Sequence, residues 1–249
     1  MKKIVTASVC TGLLAMSGAA TAGMSSTVTF ATDYMFRGGS QTGNKPALQG
    51  GLTYSHASGA YVGIWASSVN FDRVASGGDG FRMREETSTE ADWYVGYANS
   101  YEGLGFNIMY YSFNYPGWED LGFDEVWGNV NYTFGPVNAK AAVRQSTNDF
   151  FGFPSYGEAT AYEGILSGDL GAGFSASATY GVQEFDGSVE DYNYYDVGVS
   201  KDFIGLTWDV RYHDTDISDD DAAPAYQEKN ADGRFVFSVT RSSNWDVPF

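Results

Sequence analysis

The stretch FSASATYGVQ, residues 174–183, alternates between two kinds of side chain along its whole length. Apolar residues from Phe174 to Val182 occupy every second position, and serine, threonine, glycine and glutamine occupy the positions between them. A period of two places alternate side chains on opposite faces of a strand, whereas a helix would mix them. The stretch therefore predicts a β-strand with one apolar and one polar face.

The same alternation recurs along the chain, for example in VNAKAAVRQ at residues 137–145 and in LTWDVRYH at residues 206–213. The composition agrees with this pattern, because 18 Tyr, 17 Phe, 6 Trp and 31 Gly are typical of short, aromatic-rich strands. We predict about twelve strands in one domain. They lie near residues 27–37, 47–56, 60–71, 91–99, 104–114, 123–133, 137–146, 159–167, 172–183, 192–200, 204–213 and 233–241.

The connections between these strands alternate between short and long. Five are short, at residues 56–60, 99–103, 134–136, 167–171 and 201–205, and the six between them are longer and hold much of the acidic excess. Outer-membrane barrels have tight periplasmic turns and longer extracellular loops. The fold class predicted is therefore all-β: a transmembrane antiparallel up-and-down barrel of about twelve strands with acidic outer loops.

The first residues indicate export. Lys2 and Lys3 precede an apolar run that is too short to span a membrane, and Ala20-Thr21-Ala22 offers a cleavage site after Ala22. We predict a signal peptide over residues 1–22 and a barrel domain over residues 23–249. The single cysteine, Cys10, falls in the leader, so the exported domain is not a disulfide scaffold.

The formal net charge is −17, which argues against nucleic acid as a partner because phosphate binding needs a basic face. The last residue is Phe249, and an aromatic last residue is the assembly signal of bacterial outer-membrane barrels. We therefore expect a Gram-negative outer membrane, with its lipid, its lipopolysaccharide and the barrel-assembly machinery as partners. A secreted soluble β-sandwich would also alternate faces, but it would leave the leader, the loop lengths and Phe249 unexplained.

The segment DYMFRGGSQTGNKPALQGGLTYSHASGAYVGIWASSVNF, residues 33–71, resembles the TorF family of proteobacterial putative porins. The pieces that carry the resemblance include Phe36-Arg37-Gly38, Ser40-Gln41-Thr42, Gln49-Gly50-Gly51 and Trp65-Ala66-Ser67. The rest of the chain is similar only in its pattern of Gly-bounded strands. The resemblance implies an outer-membrane barrel with porin activity, and it supplies no substrate and no catalytic residue.

Charged residues on the polar faces are the candidates for the inside of the barrel, because lipid rejects a charge that a wet lumen tolerates. In the first strand, Phe30, Tyr34 and Phe36 are assigned to lipid, and Gly38-Gly39 is expected to release the chain into the first outer loop. The predicted pore-lining residues are Asp33, Arg37, Asp92, Lys140, Arg144, Glu163, Asp209 and Arg211.

Such a mixed set of charges suits a narrow pore for small polar solutes or ions, with no cofactor. The alternative is a non-conducting surface or structural barrel, in which Arg–Asp pairs only hold opposite walls together. Twelve strands lie between the small barrels that fill themselves and the large ones that leave a channel. The loop segments at residues 82–90 and 149–157 either fold inward as a constriction or are ordinary surface loops.

An outer-membrane hydrolase is the least favoured function. His56 lies at a predicted periplasmic turn, with only Ser55 and Ser58 nearby, and His213 is expected to be a solvated residue at the outer rim. No motif marks the carboxylates of DTDISDDD, residues 214–221, as catalytic, and the run lacks the glycine and terminal glutamate of an EF-hand loop. We predict no catalytic residue and no metal ligand.

Overall fold

The computed structural model describes residues 22–71, 87–218 and 228–246. Twelve strands form one closed antiparallel barrel, and a separate two-stranded hairpin, β2–β3, follows the first of them. The strands are β1 (Gly23–Ala31), β2 (Met35–Phe36), β3 (Gly39–Ser40), β4 (Ala47–Ser55), β5 (Ala60–Ser68), β6 (Thr89–Tyr101), β7 (Leu104–Phe113), β8 (Phe123–Phe134), β9 (Val137–Ser146), β10 (Ala159–Gly171), β11 (Phe174–Phe185), β12 (Tyr192–Phe203), β13 (Leu206–Thr215) and β14 (Arg234–Asp246). Two 3₁₀ turns (Glu119–Leu121 and Phe150–Gly152) and helix α1 (Glu228–Ala231) lie in the long connections.

The predicted fold, an antiparallel barrel of twelve strands, is confirmed. Each barrel strand pairs with its neighbours along the chain, and β14 closes the sheet against β1, with Gly23 opposite Asp246. The five short connections all lie at the end of the barrel that holds Gly23 and Asp246. Closure matters in lipid because it leaves no unpaired strand edge. The last strand also continues beyond the predicted end at residue 241. It runs through the polar residues Ser242, Ser243 and Asn244 to Asp246.

The outward face is apolar along its height. Aliphatic side chains such as Val28, Ile64 and Val197 are exposed at mid-strand. Exposed aromatic residues gather near both ends, with Tyr101, Phe134, Phe203 and Trp245 at the short-turn end and Tyr162, Tyr195 and Phe235 at the long-loop end. An apolar band between two aromatic girdles is the outer surface of a transmembrane β-barrel.

Within the described residues, no helix is long and apolar enough to cross a membrane. The predicted signal peptide, Phe249, residues 82–86 and residues 219–221 lie outside the described residues, apart from Ala22. The predictions made for them therefore stay predictions.

The predicted course of the first strand is wrong beyond Ala31. Pairing of β1 with β14 ends where Ala31 lies opposite Ser238, and residues 32–46 then turn into the barrel. Phe30 faces outward as predicted, but Tyr34 and Phe36 are buried in the lumen with 4 % exposure each. A period-two pattern predicts the face on which a residue lies only while the chain stays in the sheet. We name residues 32–46 the plug.

The outward face predicts how the barrel tolerates charge. Ile64 is exposed at the middle of β5, and Ile64→Arg should cost about 2–4 kcal/mol of unfolding free energy in lipid vesicles, because the charge enters the bilayer midplane. Tyr101→Arg, next to a short turn, is the matched control and should cost only about 0–1 kcal/mol. Equal costs at the two positions, measured by urea unfolding, would contradict the membrane placement.

Candidate functional site

The plug is a tight hairpin whose tip points across the lumen. Met35 pairs with Ser40 and Phe36 with Gly39, so only Arg37 and Gly38 form the turn. Both have positive φ, 48° and 82°, as a type I′ turn requires. Gly38 is needed for space as well, because a Cβ there would lie 2.3 Å from Cγ2 of Thr215 on β13. The FRGG sequence therefore fits a hairpin tip that presses against β13 of the barrel wall.

Asp33 fixes the base of the plug. Its Oδ1 accepts hydrogen bonds from Ser40 Oγ (2.6 Å) and Thr42 Oγ1 (2.7 Å). Its Oδ2 lies 3.2 Å from Nη1 of Arg234 at the start of β14. These contacts tie the two arms of the hairpin to each other and to the barrel wall, so Asp33 acts inside the plug rather than on a strand.

Arg37 fastens the tip to two strands. Its Nη2 donates to both carboxylate oxygens of Glu125 on β8, at 2.8 and 2.6 Å, and its Nη1 donates to Oε1 of Gln183 on β11 at 2.8 Å. Tyr192 donates its hydroxyl to the Arg37 carbonyl (3.1 Å). The guanidinium also lies 4.7 Å from the ring centroid of Phe36. We call the Arg37–Glu125–Gln183 contact the latch.

The latch keeps Arg37 charged although it is fully buried. Burial on its own would lower the pKa of Arg37, but the Glu125 carboxylate, by charge attraction and hydrogen bonding, acts together with Tyr194 and Glu163 to raise the pKa. A charged, bidentate arginine–carboxylate pair is among the stronger protein hydrogen-bond geometries. Removing either partner would leave an uncompensated charge in a dry site.

Aromatic side chains pack around the plug on one side of the lumen. Phe36 contacts Phe113 of β7 edge-on (5.6 Å between centroids) and Phe151 of the loop between β9 and β10 (6.0 Å). Tyr34 packs against Trp65 of β5 at 5.4 Å. Segment 149–157 therefore folds inward, as one of the two predicted alternatives had it. Within it, burial raises the pKa of Tyr156 to about 12.

Two further ion-pair groups continue from the latch around the inner wall. On β9 and β10, Arg144 pairs with Glu163, and its guanidinium stacks over Trp127 at 4.6 Å. Tyr194 of β12 donates to Glu163 at 2.7 Å. These contacts hold neighbouring strands in one register on the lumen side.

The second group lies on β12 and β13. Arg211 pairs with Asp196 through one amino group, and through the other it contacts Asp209 (3.2 Å) and Ser177 (2.8 Å). Both Asp209 and Arg211 are 2 % exposed. Arginine–carboxylate pairs thus lie on the inner wall at β9–β10 and at β12–β13.

A pair of buried acids lies beneath the plug on β6. Glu90 and Asp92 are two residues apart on the inward face, with 1 % and 3 % exposure. Tyr34 of the plug donates to Glu90 (3.1 Å), and Tyr111 of β7 donates to Asp92 (2.9 Å). Glu90 therefore takes part in holding the plug, whereas Asp92 is bonded to the barrel wall.

The structure places all eight predicted pore-lining residues inside the barrel. Asp33 and Arg37 lie in the plug and not on the wall, whereas the other six are on strands: Asp92, Lys140, Arg144, Glu163, Asp209 and Arg211. Whether any of them lines a conducting path stays a prediction.

Sequence reasoning missed the partners of these residues. Glu125 and Glu90 are the most buried acids of the site, with 0 % and 1 % exposure, and Asp196 bonds Arg211. The alternation of side chains along a strand could have placed the two glutamates inside the barrel, because Glu125 shares a face with Trp127, and Glu90 shares one with Asp92. The pairing of Glu125 with Arg37, 88 residues away, has no local signal.

The two histidines show no catalytic arrangement within the described residues. His56 lies at a short turn, where its Nδ1 lies 2.9 Å from Ser58 Oγ in an exposed contact. His213 was expected to be solvated at the rim, and this is wrong: it lies on β13, faces the lumen and is 6 % exposed. Its Nε2 has no hydrogen-bond partner in the part of the chain that is described.

The acidic run 214–221 is described as far as residue 218. Asp214 accepts hydrogen bonds from Tyr195 (2.8 Å) and Tyr212 (2.9 Å), and Asp216 caps Asn193 (2.7 Å from its backbone nitrogen). Among the described residues, no group of acids, histidines or cysteines could hold a metal ion. The acids in the described part of the run therefore form hydrogen bonds at the ends of the strands.

A family model described as "Bacterial protein of unknown function (Gcw_chp)" matches residues 15–243. The chain belongs to the Gcw_chp family. The family name expected from the sequence, TorF, is not confirmed by this match. No curated protein matches the Gcw_chp chain.

Two solved structures resemble the Gcw_chp chain in fold. The NanC porin in a rhombohedral crystal form aligns with a TM-score of 0.55 and 9 % identity, covering 88 % of this chain and 98 % of that one. A structure from work on in-meso crystallization of membrane proteins aligns with a TM-score of 0.52 and 10 % identity, covering 91 % and 86 %. At such low identity these likenesses support the barrel fold alone.

The latch predicts a stability effect in the Gcw_chp barrel. Arg37→Met should lower the free energy of unfolding by about 3–5 kcal/mol, because it leaves the Glu125 carboxylate buried without its partner. The double variant R37M/E125M should recover much of this loss, since an apolar pair needs no charge compensation. Urea unfolding followed by tryptophan fluorescence measures both.

Arg241→Met is the control for the loss of one arginine, because the side-chain hydrogen bond of the exposed Arg241 within the described residues is to the Gly205 carbonyl at the short-turn end. It should stay within about 0.5 kcal/mol of the wild type. An Arg37→Met variant as stable as Arg241→Met would show that the latch does not stabilise the folded barrel.

Proposed function

We propose that the protein is an outer-membrane, porin-like channel for passive diffusion of small polar solutes or ions, and that its plug restricts the outer end. The observation that carries this proposal is the polar inner wall between the latch and the short-turn end. Several inward side chains there are small or amide-bearing, among them Thr27, Thr53, Asn129, Asn131 and Ser175, beside the lumen-facing tyrosines Tyr61 and Tyr94. A lumen built only to be packed would carry large apolar residues at these positions.

The contrast between the two ends supports a restricted channel. At the long-loop end the lumen holds the aromatic cluster around Phe36 and Phe113 and the buried Arg37 latch. At the other end the wall keeps hydroxyl and amide groups that water can solvate. A solute entering from the short-turn side therefore meets a polar wall first and the plug last.

The location in a Gram-negative outer membrane is part of this proposal. The apolar band and its aromatic girdles support it, as do the expected signal peptide and Phe249. Contacts with lipopolysaccharide through the acidic outer loops, and recognition by the barrel-assembly machinery through Phe249, are further proposals. We propose no enzymatic activity.

A non-conducting structural barrel is the second candidate, and the latch itself favours it. Arg37, Arg144 and Arg211 each pair with an acid on the wall, as braces would. In that case the charged groups would maintain the shape of the barrel and nothing would pass.

Planar bilayer recording separates the two candidates. The purified, folded protein should give discrete conductance steps, and Arg37→Ala should raise the mean conductance or the open fraction at least about twofold, because the plug loses its hold on β8 and β11. Arg241→Ala is the control and should match the wild type. If neither the wild type nor Arg37→Ala conducts, the channel function is wrong and the structural barrel is supported.

A further inference from the structure

The inner wall below the latch carries one cation that differs from the others. Arg37, Arg144, Arg211 and Arg234 each form an ion pair with an acid. Lys140 of β9 also faces the lumen, but within the described residues no acid lies at ion-pair distance from it and its ammonium makes no hydrogen bond. Glu163, the acid whose charge attracts it, is already bonded by Arg144 and Tyr194.

Lys140 lies opposite Ile165 on the β10 side, and its neighbours on the β8 side are amides. Asn131 of β8 lies directly opposite Lys140 in the register, and Asn129 lies two residues nearer the latch on the same face. Directly opposite residues of an antiparallel pair have their Cβ atoms about 4.5–5.5 Å apart. Asn138 lies two residues from Lys140 on β9, towards the short turns.

These amides are largely free to bind a ligand. The side chains of Asn129 and Asn131 make no hydrogen bond within the described part of the chain. Asn138 uses its Nδ2 on Thr133 (3.0 Å), which leaves its carbonyl oxygen. Further around the wall, Asn107 of β7 lies opposite Asn129 and accepts a hydrogen bond from Tyr61 (2.6 Å). We call Lys140 with Asn129, Asn131 and Asn138 the amide patch.

An ammonium that forms no ion pair within the described residues and several amides together define which ligand chemistry would fit the amide patch. The ammonium is a point charge with three donors, and each free amide offers both a carbonyl acceptor and an NH₂ donor. An anionic group suits Lys140, and hydroxyl groups on the same solute suit the amides, because a hydroxyl both donates and accepts. A simple cation would be repelled by Lys140, whereas the charge of Arg144 is paired with Glu163.

We propose that the amide patch is a binding site for small hydroxylated anions that enter the lumen from the short-turn end. This inference rests on the proposed channel function, whose solute class it names. Lys140 sets the charge preference and the asparagines distinguish a hydroxylated anion from a bare one. Glu163 competes little with the ligand for Lys140, because it is bonded to Arg144 and Tyr194.

The patch also has the position that a solute site needs. It lies on β8 and β9 between the Trp127–Arg144 stack and the short turn at residues 135–136. Lys140 and its asparagines are only partly buried, unlike Arg37 and Arg211, which are nearly inaccessible. Water and a small solute therefore reach the amide patch while the latch stays closed.

Calorimetric titration of the detergent-folded protein with sodium gluconate tests the site without requiring conduction. Gluconate carries one carboxylate and several hydroxyls, and sorbitol is its uncharged counterpart. The wild type should bind gluconate, and sorbitol at least tenfold more weakly. Lys140→Gln should weaken gluconate binding at least tenfold, because it removes the charge and keeps a polar side chain.

Lys201→Gln is the matched control. Lys201 lies near the short-turn end of β12, where its ammonium lies 4.1 Å from the ring centroid of the outward-facing Phe174, so its charge is outside the lumen. Its gluconate affinity should equal that of the wild type. Asn131→Ala, a second variant that keeps the charge, should lower the preference for gluconate over acetate at least threefold.

The outcomes keep this inference separate from the channel function. Unchanged gluconate affinity in Lys140→Gln, or equal binding of sorbitol and gluconate, would overturn the site. A wild type that conducts but binds no gluconate would overturn the site and leave the channel function standing. A wild type that binds gluconate through Lys140 but never conducts would retain the site and overturn the channel function.

Discussion

The closure of the sheet on itself is the constraint on which the rest of the molecule depends. In lipid, each backbone N–H and C=O group must find a partner within the protein, and a barrel in which β14 pairs with β1 provides one along every strand. Because side chains alternate along each strand, closure divides them between lipid outside and the lumen inside. The apolar band, the two girdles and the charged inner wall are consequences of that division.

The plug places charged and polar side chains in the lumen, where lipid does not exclude them. The long-loop end of the barrel holds a hairpin that is fixed at its base by Asp33 and at its tip by Arg37. Each of these charges has several partners, which is what makes a buried charge tolerable. The tightness of Gly38 against Thr215 shows that the hairpin fits the wall sterically as well as electrostatically.

The two halves of the lumen therefore carry different physical chemistry. Near the long loops, aromatic packing and buried ion pairs leave few groups accessible to a ligand. Near the short turns, the wall of Asn131, Asn138 and Lys140 keeps donors, acceptors and a charge available. The restricted channel and the anion site that we propose both follow from this difference along the barrel axis.

The sequence by itself determined the strand number, the positions of the turns and the inward placement of residues such as Lys140, Arg144 and Asp209. Period-two alternation encodes these properties locally, one strand at a time. The tertiary structure alone decided where β1 leaves the sheet, and so that Tyr34 and Phe36 pack in the lumen rather than against lipid. It alone also decided that Arg37 meets Glu125 and Gln183. Such contacts depend on which strands face each other across the closed barrel, and no local periodicity carries that information.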